Sequence, residues 1–440
     1  MDFVFDYIDP PLFAAVLLSV LFVWFLVQGV PIAVGIAVSS ILTGLFFLPL
    51  ETAFFMATQK MYAGIDSFTL LAIPFFILSG NLMNKGGIAI RLINLAKLMG
   101  GRLPGSLAHT NVIANMLFGS LSGSAIAAAA AVGGVMAPLQ RKEGYDPSFS
   151  ATVNICSAPA GILIPPSGPL ILYSLVSGGT SIAALFVGGY LPGILMGLSV
   201  MLVTYFIARK RGYVSAAMQE ERGALRIFFD AVPSLLMIVV VIGGIIIGAF
   251  TATEGAAVAA LYSLVLSLAY RLATPAEYWD ALKSTMVTSA TILFLIAASG
   301  IMSYVMTITG LPDVVADGLR YFDDPLVILL VMNLAFLIVG TFMDLTPAVL
   351  IFTPIFLPIS AEIGLDPVHF GLMMIFNMGM GSITPPVGSV LFVGCSVAGV
   401  TIEQVTKQLL PFLAALFVDL MIVAYWPGLT LSLPRLFGLM

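Results

Sequence analysis

Long apolar runs recur along this chain, and short polar or glycine- and proline-rich segments separate them. Clear runs cover residues 11–27, 30–48, 67–84 and 182–208, and two more follow within 233–270. Runs of about 20 apolar residues are typical of helices that cross a membrane, whereas a membrane barrel needs alternating strands of about 10 residues. Because lipid accepts only helices or closed barrels, the pattern predicts an all-α polytopic membrane protein.

Glycines and prolines recur at a constant offset of 220 residues. Pro165-Pro166 is matched by Pro385-Pro386, and Gly161 is matched by Gly381. A constant offset across such landmarks indicates an internal repeat. The predicted division is 1–210 for repeat 1, 211–229 for a cytoplasmic linker and 230–440 for repeat 2. The first two spans of each repeat, 11–48 and 233–270, are predicted to form a scaffold.

Each repeat also contains two short apolar arms that meet at a small polar tip. The tips are 119–124 in repeat 1 and 340–345 in repeat 2. An arm of about 15 residues rises only about 23 Å as a helix, less than the ~30 Å thickness of the hydrocarbon core. We therefore expect two re-entrant hairpins, over 104–140 and 325–361, rather than four complete spans.

A longer apolar segment follows each hairpin and contains a Pro-Pro pair. These segments, 148–177 and 367–397, are predicted to be spans broken at 161–166 and 381–386. Unwinding a helix in lipid costs several kcal/mol for each unpaired backbone group, so a break is tolerated only where protein, water or ligand satisfies it. Together the patterns predict about ten transmembrane helices, two of them broken, plus two hairpins. Inverted repeats with broken helices are typical of secondary transporters.

Composition and charge exclude several other classes of protein. The chain is 60% hydrophobic and only 9% charged, with a mean hydropathy of +1.11, whereas soluble domains carry about 25% charged residues. A water-soluble enzyme, a nucleic-acid binder and a disordered protein are therefore excluded. No Walker A sequence and no catalytic motif is visible, so neither ATP-driven transport nor catalysis is expected.

The distribution of basic residues predicts the orientation in the membrane. Five spans per repeat is an odd number, so repeat 2 must be inverted relative to repeat 1. With the amino terminus outside, 14 of the 17 basic residues face the cytoplasm, as the positive-inside rule requires. Both termini are then periplasmic. The acidic amino end, with Asp2, Asp6 and Asp9, lacks the basic region of a cleavable signal peptide.

The tips and breaks carry the polar groups expected to bind ligands. The first tip has three hydroxyls, and the second has a carboxylate, Asp344, at predicted membrane depth. Carbonyls at a break are hard oxygen ligands suited to Na⁺, and the amino ends of half-helices favour an anion. Two alternatives stay open: the first tip as a small-residue packing face, and Asp344 as the N-cap of the following half-helix.

A few other residues lie in apolar runs and need a role. For Asp419 the alternatives are a packing role, pairing with a helix of a partner subunit, and proton relay. His109 and His369 are expected at the membrane interface rather than as metal ligands. Cys156 and Cys395 sit in apolar runs and suggest no disulfide framework.

Eight motifs spread over nearly the whole chain resemble the large membrane subunit of TRAP (tripartite ATP-independent periplasmic) transporters. They are 29–33, 64–76, 119–125, 144–146, 162–167, 353–358, 366–371 and 384–388. The resemblance implies a Na⁺-driven elevator-type importer of organic acids in the bacterial inner membrane. It also implies a separate small four-span membrane subunit and a separate periplasmic substrate-binding protein.

Carried over to this chain, the resemblance turns the tips and breaks into ion and substrate sites. The implied substrate-binding residues are Ser122, Gly123, Ser124, Pro165, Ser167, Asp344, Thr384 and Pro385. The implied Na⁺ ligands are Ser120, Ser124, Gly161 and Ile164 for one site, and Gly340, Asp344, Gly381 and Thr384 for the other. The substrate stays open among sialic acid, a C4-dicarboxylate, a keto acid and a compatible solute. The alternative function is a stand-alone ion-coupled symporter or antiporter of organic anions.

Overall fold

A computed structural model describes residues 10–101, 103–213, 223–322 and 324–440, with the side chains of Ala89 and Arg320 left out. Several residues used above lie outside the described parts of the chain. They are Asp2, Asp6 and Asp9 of the acidic amino end, the basic residues Arg102 and Arg222, and residues 214–222 of the predicted linker.

All regular elements in the described ranges are helices. The first half contains α1 (Pro10–Val27), α2 (Ile32–Gly44), α3 (Leu50–Ile65), a 3₁₀ turn (Phe68–Leu71), α4 (Ala72–Lys85), α5 (Ile88–Gly100), α6 (Ser106–Ser122), α7 (Ala125–Lys142), α8 (Pro147–Ser157), α9 (Ala160–Leu163), α10 (Gly168–Val176) and α11 (Ile182–Lys210). The second half contains α12 (Ala224–Ile246), α13 (Ala252–Tyr270), α14 (Pro275–Ile308), α15 (Leu311–Arg320), α16 (Pro325–Phe342), α17 (Leu345–Glu362), α18 (Pro367–Gly381), α19 (Ser389–Ala398), α20 (Ile402–Tyr425) and α21 (Gly428–Leu436).

The number of apolar helices confirms the predicted fold class. Nine helices of the described chain are long and apolar enough to cross a membrane. Two of them, α16 and α17, are the arms of the second predicted hairpin; at 18 residues each they are longer than the arms of about 15 that the sequence indicated, so the re-entrant course of this hairpin stays a prediction. A tenth span is formed if α8–α9 and α10, which bend by 48° at their break, are counted as one. The protein is therefore an all-α polytopic membrane protein.

Helix boundaries recur at the 220-residue offset found in the sequence. Helix α7 and helix α17 begin and end at matching positions, and α8 and α18 both start at a proline after an aspartate N-cap. Asp146 accepts a hydrogen bond from the Ser148 amide at 3.0 Å, and Asp366 accepts one from the Val368 amide at 2.8 Å. The repeat boundaries and the inversion of repeat 2 in the membrane stay predictions.

Both hairpin tips are shorter than the sequence indicated. Helix α6 continues to Ser122 and α7 starts at Ala125, while α16 continues to Phe342 and α17 starts at Leu345. Small residues do not end a helix when they pack against a neighbour. The first hairpin turns only at Gly123, whose φ of +64° is a left-handed conformation that favours glycine.

The two halves differ between their second span and their hairpin. Residues 50–65, which the hydrophobic pattern left unassigned, form α3, and the span predicted at 30–48 is helical only over Ile32–Gly44. In repeat 2, one helix of 34 residues, α14, occupies the positions of α3, the 3₁₀ turn and α4. Asp66 and Ser67 separate the pieces in repeat 1, and their counterparts in repeat 2 are Met286 and Val287, which let the helix continue.

Both histidines are buried inside the protein, each in the first turn of its helix, and their position at the membrane interface stays a prediction. His369 is fully enclosed, its Nδ1 lies 2.8 Å from Thr430 Oγ1, and its Nε2 lies 3.2 Å from the Ala424 carbonyl. His109 is also buried, on α6. Cys156 and Cys395 are free thiols inside the protein.

The buried carboxylate of Asp419 joins the two halves. It accepts a hydrogen bond of 2.8 Å from the hydroxyl of Ser199, which lies 220 residues earlier on α11. This contact supports the packing role among the three alternatives for Asp419.

The helices pack as two groups. We call α2, α3, α4, α12, α13 and α14 the scaffold, in which α4 packs on α13 and α14 packs on α2 and α3. We call α6–α11 and α16–α21 the hairpin block, in which each hairpin packs against the broken span that follows it. Helix α5 connects the two groups, because it packs on α6 of the block and on α12 of the scaffold, while α1 packs on α2 and α15 packs on α1, α14 and α17.

Two glycine pairs let each hairpin touch its broken span backbone to backbone. A Cβ built on Gly119 would lie 2.7 Å from the Gly161 Cα, and a Cβ built on Gly381 would lie 2.6 Å from the Gly340 Cα. Real Cβ atoms do not approach other carbon atoms this closely. Any side chain at these glycines would push the tip and the break apart.

This contact predicts that Gly381→Ala destabilises the protein. Overpacking of a tight core costs about 1–3 kcal/mol, so we expect a lower midpoint of thermal unfolding in detergent. The control is Gly134→Ala on α7, where a Cβ would meet nothing within 4 Å and helix propensity favours alanine by about 0.5–1 kcal/mol. Equal midpoints for the two variants would contradict the contact.

Candidate functional site

A cavity of about 830 Å³ lies where the hairpin block meets the scaffold. Both hairpin tips line it, with residues 122–126 from the first and 344–347 from the second. Helices α2, α4 and α14 form the opposite wall, with Phe76 and Leu295 among the apolar contacts. The volume lies within the range of small-molecule sites, about 300–1,000 Å³.

The cavity receives half of the residues predicted to bind substrate. Ser122, Gly123, Ser124 and Asp344 line it. The other four, Pro165, Ser167, Thr384 and Pro385, lie in the breaks, and the break residues that line the cavity are their neighbours Pro166, Gly168, Ser382 and Ser389. The sequence thus located the segments better than the individual residues.

In the first tip, the residue that packs against the broken span differs from the residues that face the cavity. Gly119 serves packing, because it lies against Gly161. Ser122 and Ser124 face the cavity, and they also organise the turn: Ser122 Oγ donates to the Ser124 carbonyl at 3.3 Å, and Ser124 Oγ accepts from the Ala127 amide at 3.3 Å.

Asp344 connects the second tip to the second break. It occupies the N-cap position of α17 without the usual side-chain capping bond, although its carboxylate interacts with the Leu345 amide, so the capping alternative stays open. Its Oδ1 accepts a hydrogen bond of 3.3 Å from Ser389 Oγ at the start of α19. It is also the one charged residue among those lining the cavity in the described chain.

Two helix amino ends open into the cavity without a side-chain cap. Helix α10 starts after Ser167 and α17 starts after Asp344. Neither shows the usual side-chain capping bond, although the Asp344 carboxylate interacts with the Leu345 amide. Such ends carry partial positive charge and free amides that suit an anion. Helix α19 differs, because the Ser382 carbonyl accepts bonds from the Val390 and Leu391 amides.

The residues implied as Na⁺ ligands form two groups, one beside each glycine contact. Ser120 Oγ donates to the Leu117 carbonyl, and Thr384 Oγ1 donates to the Met380 carbonyl, both at 2.8 Å. Each hydroxyl oxygen therefore keeps lone pairs for a cation. Ile164 ends α9 in an extended conformation at the first break. Hydroxyl, carbonyl and carboxylate oxygens form a donor set that fits a hard cation such as Na⁺.

Buried asparagines, which sequence reasoning missed, also attach each hairpin to its broken span. Asn115 Nδ2 donates to Asn154 Oδ1 at 3.0 Å and to Ser157 Oγ at 2.7 Å. In the second half, Asn377 Nδ2 donates to the backbone carbonyl and to Oδ1 of Asn333, both at 2.8 Å. Nothing in the hydrophobic pattern marks these residues, and a search for amides in otherwise apolar arms would have found them.

A polar cluster holds the other end of the hairpin block together. Asp146 at the start of α8 forms a 2.8 Å ion pair with Arg211 and accepts 2.9 Å from Gln408 Nε2 on α20. Burial alone would raise the pKa of Asp146, but hydrogen bonds from Gln408, Ser148 and Arg211 outweigh it and hold the pKa below its usual value. The cluster therefore keeps its charge until the pH falls through that lowered pKa.

Comparison with known proteins agrees with this architecture. Residues 19–429 match the family model of the DctM component of tripartite ATP-independent periplasmic transporters. The chain belongs to this family. Members of the family are transporters, so this TRAP component is not an enzyme, as the sequence predicted.

Relatives and one solved structure cover the TRAP component almost completely. It is 52% identical to YgiK of Salmonella typhimurium, over 99% of each chain. It is 39% identical to the sialic acid TRAP transporter large permease protein SiaM of Vibrio cholerae, over 94% of this chain and 96% of that one. The YdaH transporter of Alcanivorax borkumensis is similar in fold, with a TM-score of 0.64 and 13% identity over 96% of this chain and 98% of that one.

The asparagine contacts predict a stability difference between two equally buried amides. Asn377→Ala removes two hydrogen bonds and leaves Asn333 without its donor, at a cost of about 1–3 kcal/mol beyond the lost volume. Asn111→Ala removes an amide that has no hydrogen-bond partner in the protein. We expect the larger drop in unfolding midpoint for Asn377→Ala, and equal drops would show that its hydrogen bonds contribute nothing.

Proposed function

We propose that this TRAP component imports an organic acid by Na⁺-coupled secondary transport with an elevator-type movement. One observation carries the proposal: two hairpin tips and two helix breaks, from opposite halves of the chain, converge on one cavity between two helix groups. Breaks of this kind are maintained in membrane proteins where they surround a ligand.

The polar groups at the cavity support an organic anion as the substrate. The uncapped amino ends of α10 and α17 provide positive dipole ends. The hydroxyl of Ser124, whose oxygen accepts from the Ala127 amide, keeps its proton to donate to a carboxylate or to a substrate hydroxyl. The apolar wall formed by α2, α4 and α14 excludes water from the body of the substrate.

Residues at the two glycine contacts would hold Na⁺. Ser120, Ser124, Gly161 and Ile164 would supply hydroxyl and carbonyl oxygens on one side. Gly340, Asp344, Gly381 and Thr384 would supply them on the other side. When bound, Na⁺ supplies positive charge that balances Asp344 and the substrate anion. Asp344 also connects the second tip to α19, because it accepts a hydrogen bond from Ser389. Ordering of the tip would therefore also order the break beside α19.

The movement that fits this architecture displaces the hairpin block against the scaffold. The helices of the hairpin block are held together as one unit by the glycine contacts, the asparagine pairs and the Asp146 cluster. The cavity lies on the boundary between block and scaffold. Coupling needs only a few kcal/mol of differential affinity for the ions in the two positions of the block.

The chain is proposed to work with two partners. Helix α1 is the span least covered by the protein, with 11% of its residues buried against 39% or more for each of the other spans found. We assign this face to the separate small membrane subunit. A separate periplasmic binding protein would deliver the substrate to the outer surface, with both termini of this chain on the periplasmic side of the inner membrane.

The first test of the function measures Na⁺ binding to purified protein and needs no substrate. We expect Na⁺, compared with K⁺ at equal ionic strength, to raise the thermal unfolding midpoint. At a hundredfold excess over Kd, one bound ion adds about 2.7 kcal/mol to the free energy of unfolding. Asp344→Ala should remove the part of the shift that comes from the second site and leave the part that comes from the first. The control Asp419→Asn should keep the whole shift, because Asp419 lies outside the cavity and an asparagine can still accept the bond from Ser199.

The transport arm uses proteoliposomes with this chain, the small subunit and the binding protein. Sialic acid, a C4-dicarboxylate, a keto acid and a compatible solute are offered in turn with an inward Na⁺ gradient. We expect uptake of one class, dependent on Na⁺ and on the binding protein. Uptake without the binding protein would favour a stand-alone symporter. A Na⁺ shift and uptake that are both undiminished in Asp344→Ala would overturn the proposed ion site.

A further inference from the structure

The scaffold touches the first hairpin tip at a glycine. On α4, a Cβ built on Gly80 would lie 3.3 Å from the Cα and 3.5 Å from the carbonyl oxygen of Ser122. That is a backbone-to-backbone contact between the two helix groups, at a residue that lines the cavity. Helix α4 also packs on α6 and α10, so this side of the block rests on the scaffold.

The equivalent glycine of repeat 2 does not touch the second tip. Gly300 lies on α14, 220 residues after Gly80. A Cβ built there would meet Lys60 of α3, with its carbonyl oxygen at 2.8 Å, and the third-nearest atom, the Gly64 Cα, is already 4.0 Å away. No atom of the second tip is therefore closer than that. Helix α14 packs on α17 of the hairpin block, whereas α4 packs on the first arm of its hairpin.

The breaks show the same difference in exposure. Ser167 in the first break is fully buried, while its counterpart Val387 is 43% exposed. Pro166 is buried and Pro386 is exposed. Phe342 at the second tip is 61% exposed. The tip of the first hairpin is thus in close contact with the scaffold glycine and the tip of the second is not, although α17 of the second hairpin packs on α14.

We infer that Gly80 is a positioning residue. The tip of the first hairpin rests on Gly80, and we call this contact the seat. The tip must leave the seat in each transport cycle. The second hairpin supports the inference, because it keeps the same fold without such a seat. A single Cβ at position 80 would lie 3.3 Å from the Ser122 Cα and would need a shift of only a few tenths of an ångström, whereas a side chain branched at Cβ would push the tip away. The inference rests on the proposed elevator movement.

Crosslinking tests the seat directly. A double variant Gly80→Cys and Ser122→Cys places two thiols where the backbones touch, within the reach of a disulfide. The native Cys156 and Cys395 are buried, so we expect them to form no disulfide on oxidation. The parent chain and the two single variants are the negative controls. We expect oxidation to form an intramolecular bond in the double variant alone. No crosslink would overturn the seat.

Transport of the crosslinked protein tests whether the tip must leave. With the organic acid identified by the four-compound panel, we expect uptake to fall about tenfold or more on oxidation and to recover on reduction, because one of two states is locked. Undiminished uptake by the crosslinked protein would overturn the inference. If the parent chain transports no acid at all, the proposed function fails instead, and the labelling test below still decides the seat.

Labelling needs no substrate and separates seating from general stability. We expect a membrane-impermeant maleimide to react with Ser122→Cys several-fold faster when Gly80→Val displaces the tip. The control is Gly243→Val on α12 of the scaffold, where a Cβ would meet nothing within 4 Å. Equal labelling rates in the two backgrounds would overturn the role of Gly80, whatever the stability of the variants.

Discussion

A backbone group inside a membrane must find a partner within the protein, and this requirement governs the structure of the TRAP component. Two apolar helices stop and restart at Pro-Pro pairs, Pro165-Pro166 and Pro385-Pro386. Each break is covered by a hairpin that approaches through a glycine pair and is held by buried asparagine amides. The hairpins exist in this arrangement because the breaks have to be covered, and the breaks can persist because the hairpins cover them.

The site follows from the same requirement. At the glycine contacts or a few residues beyond them the helices end, at Ser122, Leu163, Phe342 and Gly381, and helix ends leave carbonyls and amides without intrahelical partners. Tip and break from one half meet those of the other half at one cavity, and the scaffold closes it with an apolar wall. Asp344 has a special place here, because it is bonded to the opposing break through Ser389 and brings the only charge of the described lining.

Much of this could be predicted from the sequence, because glycine, proline and hydrophobic runs respond to local rules. The 220-residue offset located both hairpins and both breaks, and the structure bounds α7 and α17 at that offset. Contacts between distant elements were not predictable. The Asn333–Asn377 pair, the wall from α14 and the bond between Ser389 and Asp344 depend on how helices pack. The continuous α14 was missed because the replacement of Asp66 and Ser67 by Met286 and Val287 is a small local change.

The central claim is that ion and organic acid enter together through one site, and a direct flux measurement tests it. Proteoliposomes with the complete three-component system are given radioactive Na⁺ outside, with and without substrate-loaded binding protein. The account predicts that the substrate accelerates Na⁺ entry in the parent and has no such effect in Asp344→Ala. Accumulation of the organic acid with no accompanying entry of Na⁺ would contradict it.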